Sequence, residues 1–170
     1  MNEELLINRV ANSGLITINL EDYYPAQPLA SFDIKNFLFQ GLILKEKDFR
    51  TALAELDWRQ YQDKLLLIYC SADAIIPVWA YMLVTQYAQP FVTDIFIGDE
   101  AEYLRQAYHH IIDHLDVKPY HQQRLVIKGC SQKPVPPAAY AYLTLKLTPI
   151  ALSIMYGEPC STVPVFKRKG

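Results

Sequence analysis

Three short apolar runs, KLLLIYC from Lys64, FVTDIFIG from Phe91 and RLVIKGC from Arg124, are separated by helical patterns long enough for parallel crossovers. This alternation constrains the chain more than any other feature. It predicts a βαβαβ core whose parallel strands lie near residues 64 to 70, 92 to 97 and 124 to 129 in one sheet, since right-handed crossovers gather such strands together. LLLI in the first run is apolar at consecutive positions, as expected of a strand covered on both faces. The expected fold is therefore α/β, a three-layer sandwich with a mainly parallel sheet.

The flanking segments fit around this core. LITINL reads as a first strand, and EDYYPAQP, with its two prolines, as a loop. Asp33 is placed to cap a short helix through IKNFLF that Gly41 ends, and KEKDFRTALAEL sets Phe49, Ala52, Leu53 and Leu56 on one helical face. The helix from about Pro77 to Gln89 is apolar nearly all round and is expected to lie deep. The helix from Glu100 keeps Leu104, Ala107, Tyr108, Ile111, Ile112 and Leu115 on one side. After Cys130, prolines 134, 136 and 137 delay the next helix to about Ala138, and Pro149 breaks it into two pieces. STVPVF then enters as an antiparallel edge strand, where Pro164 is tolerated. No linker interrupts the pattern, so residues 1–170 are expected to form a single α/β domain.

The cysteines stand out by position. Cys70, Cys130 and Cys160 are each followed by serine at a predicted element boundary, and the plan of CSADAIIPVWAYM recurs about sixty residues on in CSQKPVPPAAYAYL. Ligands of open parallel sheets bind outside the carboxyl ends of the strands, where Cys70 and Cys130 fall, and an antiparallel last strand would bring Cys160 there too. Helix N-termini nearby favour thiolate, the form that binds metal. The expectation is a three-thiolate site of Cys70, Cys130 and Cys160, with Asp73 or water in a fourth position, holding zinc, iron or a transient iron-sulfur cluster. Sulfurs at about 2.3 Å from the metal would lie roughly 3.5 to 4 Å from one another. Each cysteine taken alone is as readily a small buried hydrophobe, and Asp73 alone is a natural N-cap.

Two other functions compete. In one, Cys70 is the nucleophile of a thiol enzyme, with Cys130 resolving an oxidised intermediate. In the other, the cysteines only pack and exposed tyrosines such as Tyr23 and Tyr24 form a protein-interaction surface. His110 and His114, four apart on a helix, project from its polar face, and no Gly-rich phosphate loop or GxSxG elbow occurs. Sixteen basic against eighteen acidic residues give a net charge of -2, which offers no general attraction to nucleic acid. The acidic start MNEELLINRV and the lack of a long apolar run argue against export and membrane insertion, so a cytoplasmic location is expected.

The stretches NRVANSGLITINLEDYYP, FDIKNFLFQGLILKEKDFR, CSADAIIPVWAYM and SIMYGEPCSTVPVFKRK resemble a bacterial domain-of-unknown-function family over essentially the whole chain. That resemblance implies no activity, substrate or cofactor. It implies at most a link to metal or sulfur trafficking, with iron-sulfur assembly proteins as the expected partners.

Overall fold

A computed structural model describes residues 14–129, 132–158 and 160–169. Seven strands and four helices follow in the order β1 (Leu15–Asn19), β2 (Leu29–Asp33), α1 (Glu46–Glu55), β3 (Leu65–Tyr69), α2 (Val78–Ala88), β4 (Asp94–Ile97), α3 (Glu100–Asp113), β5 (Arg124–Lys128), α4 (Pro137–Leu147), β6 (Ser153–Glu158) and β7 (Ser161–Lys167). Short 3-10 turns occupy Leu20–Tyr23, Ile34–Phe37, Trp58–Tyr61 and Lys118–Tyr120.

The fold is α/β, but its strands form two sheets. One has the order β1-β5-β6-β7 and the other β2-β3-β4. All neighbours are parallel except β6 and β7. The single sheet expected of a three-layer sandwich is thus corrected: β3 and β4 share one sheet, whereas β5 belongs to the other. The antiparallel edge strand is present as β7. Two strands escaped the sequence reading. β2 lies just ahead of the expected cap, for Asp33 both closes this strand and caps the short 3-10 turn Ile34–Phe37, and β6 occupies the place of the second helical piece after Pro149.

The chain divides into two compact units, an inserted unit (Ala26–Tyr103) and a split unit (Met1–Pro25 with Leu104–Gly170). In the inserted unit, Leu66 and Ile68 of β3 pack with Phe49 and Leu53 of α1 and with Ala80, Val84 and Ala88 of α2. Because side chains alternate along a strand, both helices lie on the Leu66 face. Leu65 and Leu67 point the other way and are also buried, at 3% and 1% exposure. The split unit repeats the arrangement. Leu125 and Ile127 of β5 pack with Tyr108 and Ile112 of α3 and with Ala139, Leu143 and Leu147 of α4.

The likeness is residue by residue. From Phe49 to Gly98, each position of the inserted unit has its counterpart in the split unit at a constant spacing of 59 residues (122 - 63 for Asp63 and Gln122). Asp63 and Gln122 are both left-handed, at φ 60° and 58°. Their N–H groups donate to the carbonyls of Phe91 and Ile150 at 2.9 and 2.8 Å. Asp57 and Asp116 accept from the amides of Arg59 and Lys118 at 3.1 and 3.0 Å. Pro77 and Pro136 precede α2 and α4, and Gly98, just after β4, corresponds to Gly157, near the end of β6, with φ of 143° and 118°. The first strands also correspond: Asn19 closes β1 and Asp33 closes β2, and their side chains cap the next 3-10 turns by accepting from the amides of Glu21 and Lys35. The chain therefore carries one βαβαβ-type unit twice, with the second copy inserted after the first strand of the split unit.

Gly41, expected to end a helix, instead sits in a tight turn with Gln40. Their φ values are 72° and 52°, and Leu42 donates to the Phe39 carbonyl at 3.1 Å. A pair of positive φ angles at the central positions favours glycine at the second.

Candidate functional site

The expected metal centre does not form. Cys70 is half-buried at the end of β3, where its thiol donates to the Ala72 carbonyl at 3.6 Å. Cys160 is exposed in the turn between β6 and β7, in the other unit. Cys130 lies outside the described residues. Asp73 is exposed in the loop after β3, and the residue capping α2 is Pro77. Among the described residues no group of three or more His, Cys, Asp or Glu side chains is placed to hold a metal ion. The assignment of Cys70, Cys160 and Asp73 to a zinc, iron or iron-sulfur site is withdrawn, and nothing among the described residues supports iron-sulfur assembly proteins as partners.

The repeat explains the recurring strand, loop, proline and helix around the cysteines, but not the cysteines themselves. At the spacing of 59 residues, Cys70 corresponds to Gly129 and Ser71 to Cys130, so the cysteines are one position out of register. The counterparts have different neighbours. Cys70 lies beside Tyr81, whose phenol is pushed up first by burial and then by the charge of Cys70. Gly129, at φ 153°, lies beside Tyr140, the counterpart of Tyr81, and a Cβ there would come within 2.9 Å of the Tyr140 hydroxyl. The positive φ and this close approach favour glycine at 129.

The serine after Cys70 has a definite task. Ser71 donates to the Asp33 carboxylate through its amide at 3.0 Å and its hydroxyl at 2.6 Å, fixing the loop after β3 to the end of β2. In the split unit the same loop is held by the buried Glu21, which accepts from the Gln132 amide at 2.9 Å. Burial pushes the Asp33 carboxyl up, but the Ser71 hydroxyl, the Ser71 and Lys35 amides and the Lys35 charge together hold it below 3.8. A carboxyl depressed on folding adds stability above its ordinary range, and that stability is lost as pH falls through the folded value. Replacing Ser71 with alanine should therefore destabilise the protein at neutral pH, and the gap to the parent should close below the depressed Asp33 value. Urea midpoints measured across that range check this.

The tyrosines named for an interaction surface are not freely displayed. Tyr23 and Tyr24 are half-buried against the core of the split unit. Tyr23 hydrogen-bonds to Tyr120, whose phenol is pushed up to about 12 by burial, by that bond and by the nearby charges of Tyr23 and Asp116. His110 and His114 are exposed, as their positions on the polar face imply.

What the fold does build is a groove in each unit, between the second helix and the last parallel strand. In the split unit it encloses about 1000 Å³ along α4, β6 and β7; in the inserted unit it encloses about 690 Å³ along α2 and β4. Every residue lining the smaller groove has its counterpart lining the larger one. Tyr81 matches Tyr140, Met82 matches Ala141, Thr85 matches Thr144 and Ile97 matches Tyr156. The rings of Tyr140 and Tyr156 meet edge to face at 5.7 Å in the larger groove.

A family model matches residues 4–168, and its description is "Protein of unknown function (DUF2480)". The chain belongs to the DUF2480 family. No curated protein and no solved structure matches the chain. Among the described residues no helix is long and apolar enough to cross a membrane.

The sequence reading of this DUF2480 chain missed the groove residues for a definite reason. The helix from about Pro77 to Gln89, apolar nearly all round, is expected to lie deep, whereas its Val78 and Met82 are exposed at 75% and 67%, and Leu145 of α4 is exposed at 76%. The same pattern signals an apolar surface left for something else to cover.

Proposed function

We propose that this chain is a binding protein whose ligand is an uncharged, largely apolar small molecule seated in the groove between α4 and the β6–β7 hairpin. The observation carrying this reading is the lining. Ile127, Val135, Leu145, Ile154, Met155 and Val165 dominate it, and among the described residues no charged side chain contributes. A volume of about 1000 Å³ suits a drug-sized ligand. A phosphate or carboxylate would enter without a cation to meet it, at a cost of several kcal/mol in a low-dielectric site. The polar groups present are already partly committed: the Thr148 hydroxyl donates to the Thr144 carbonyl at 2.7 Å. Tyr140 and Tyr156 offer aromatic edges and faces, which favour a planar or unsaturated ligand.

Filling the groove tests this. Ala141 is exposed on α4 and lines the groove, so Ala141→Trp should place an indole in the ligand's volume without disturbing the core. Titration with the neutral dye N-phenyl-1-naphthylamine should show saturable fluorescence enhancement in the parent. Affinity should fall about tenfold or more in Ala141→Trp, with the melting temperature unchanged. Equal dye affinity in the two proteins would remove this groove from consideration.

A further inference from the structure

The two units differ at one edge. In the split unit β6 is covered by antiparallel β7, with Ser153 opposite Lys167, Ile154 opposite Phe166 and Tyr156 opposite Val163. In the inserted unit the counterpart of β6 is β4, one edge of which pairs with β3; among the described residues no strand pairs with its other edge. We infer that the open edge of β4 is a docking site for an extended segment of a partner protein, added as an antiparallel strand in the register that β7 takes on β6.

The chemistry of that partner follows from the repeat. Moving the β7 register onto β4 sets a basic residue opposite Asp94, an aromatic one opposite Ile95 and a β-branched one opposite Ile97. Asp94 stands where the split unit has Ser153, so the inserted unit carries a negative charge that a neutral or acidic strand would leave unmatched. The partner segment therefore reads as Val-x-x-Phe-Lys or a close equivalent, running opposite to β4. Ile97 is 53% exposed and offers apolar area to such a strand.

The edge is guarded in the absence of a partner. The Asp94 carboxylate accepts from the amide of Ile95 at 2.8 Å, occupying a donor on the strand itself. Charged residues on a short edge strand suppress indiscriminate pairing. A strand bringing a cation to Asp94 would draw the carboxylate to itself and free that amide. Main-chain bonds would then supply affinity, and the side-chain pattern selectivity.

The test uses the full chain and a fluorescently labelled peptide with the sequence of Ser161–Lys169, followed by anisotropy. Saturable binding is expected. Asp94→Lys should weaken it about tenfold, because an attractive cross-strand pair becomes a repulsive one. A peptide carrying glutamate in place of Lys167 should recover most of that loss on the Asp94→Lys protein and bind the parent poorly. Asp94 is exposed, so the variant keeps its core. No saturable binding would overturn the inference. Binding insensitive to Asp94→Lys would overturn it too, since the peptide would then be sitting elsewhere, as by exchange with β7 on β6. Binding that appears only after removal of residues 1–13 would assign the edge to that segment. Self-association of the parent that Asp94→Lys abolishes would assign it to a second copy of the chain. Either result refutes an outside partner.

Discussion

Leu66→Ala and Leu125→Ala should each lower the stability of the protein by about 2–5 kcal/mol, the range for truncating a leucine in a close-packed core. Both side chains are fully buried, at 0% exposure, each in an interior strand of its sheet and each facing the two helices of its own unit. They are counterparts at the 59-residue spacing, so their losses should be of similar size. The truncation removes packed methyl groups and leaves a cavity that the flanking helices close only in part. Urea unfolding with a common slope measures both values. A loss under about 1 kcal/mol at one position would mean that its unit is not organised around the strand as described.

Trp58→Ala should cost about 3–5 kcal/mol, the range for deleting a large buried aromatic side chain. The indole stacks on Phe32 at 5.7 Å and on Tyr87 at 5.9 Å, and its Nε1 donates to the Leu53 carbonyl at 2.8 Å. It thus links β2, the end of α1 and α2 inside the inserted unit. Trp58→Phe should retain most of the apolar contact but lose the hydrogen bond, for about 1–2 kcal/mol. A thermal melt of both variants against the parent separates packing from the polar contact. Near-equal losses would mean that the Leu53 carbonyl bond, not the ring, is the main contribution.

Much of this fold can be read from residue pattern, and the parts that cannot have physical causes. β3 and β5 announce themselves because LLLI and LVI are apolar without interruption and buried on both faces. α1 and α3 follow from their one-sided periodicity. β2, as LASFD, is hidden because Asp33 closes the strand and also caps the following 3-10 turn, so the cap was read as the start of a longer helix. β6 is hidden because Pro149 ends α4 outright; the chain then turns through Ile150 and Ala151, whose amides both bond the Leu147 carbonyl, directly into a strand.

The division into two sheets is the less legible part. Helix-length segments between apolar runs specify crossovers, but the run at 91–98 gives no sign that α3 leads out of its own sheet. The repeat was visible in part. Aligning the chain on its cysteines gives a spacing of sixty (130 - 70), whereas Pro77 with Pro136, Pro90 with Pro149 and Gly98 with Gly157 give 59 (136 - 77). Prolines and glycines record backbone geometry and therefore mark the true register; thiols do not. The one-residue error matters in a strand, because it moves a side chain to the opposite face. The expectation of one thiol site rested on placing the cysteines at the carboxyl edge of a single sheet, whereas β3, which ends beside Cys70, and β6 and β7, which flank Cys160, belong to different sheets.

The most direct measurement of the proposed binding function is a methyl-resolved NMR titration with a neutral aromatic ligand such as N-phenyl-1-naphthylamine, on protein labelled at methionine, isoleucine, leucine and valine methyls. Progressive, saturable shifts at Val135, Leu145, Ile154, Met155 and Val165, with Leu66 and Leu53 of the inserted unit's core unmoved, are predicted. Shifts confined to Val78 and Met82 would place the ligand in the smaller groove instead, and the absence of saturable shifts at any of these methyls would contradict the account.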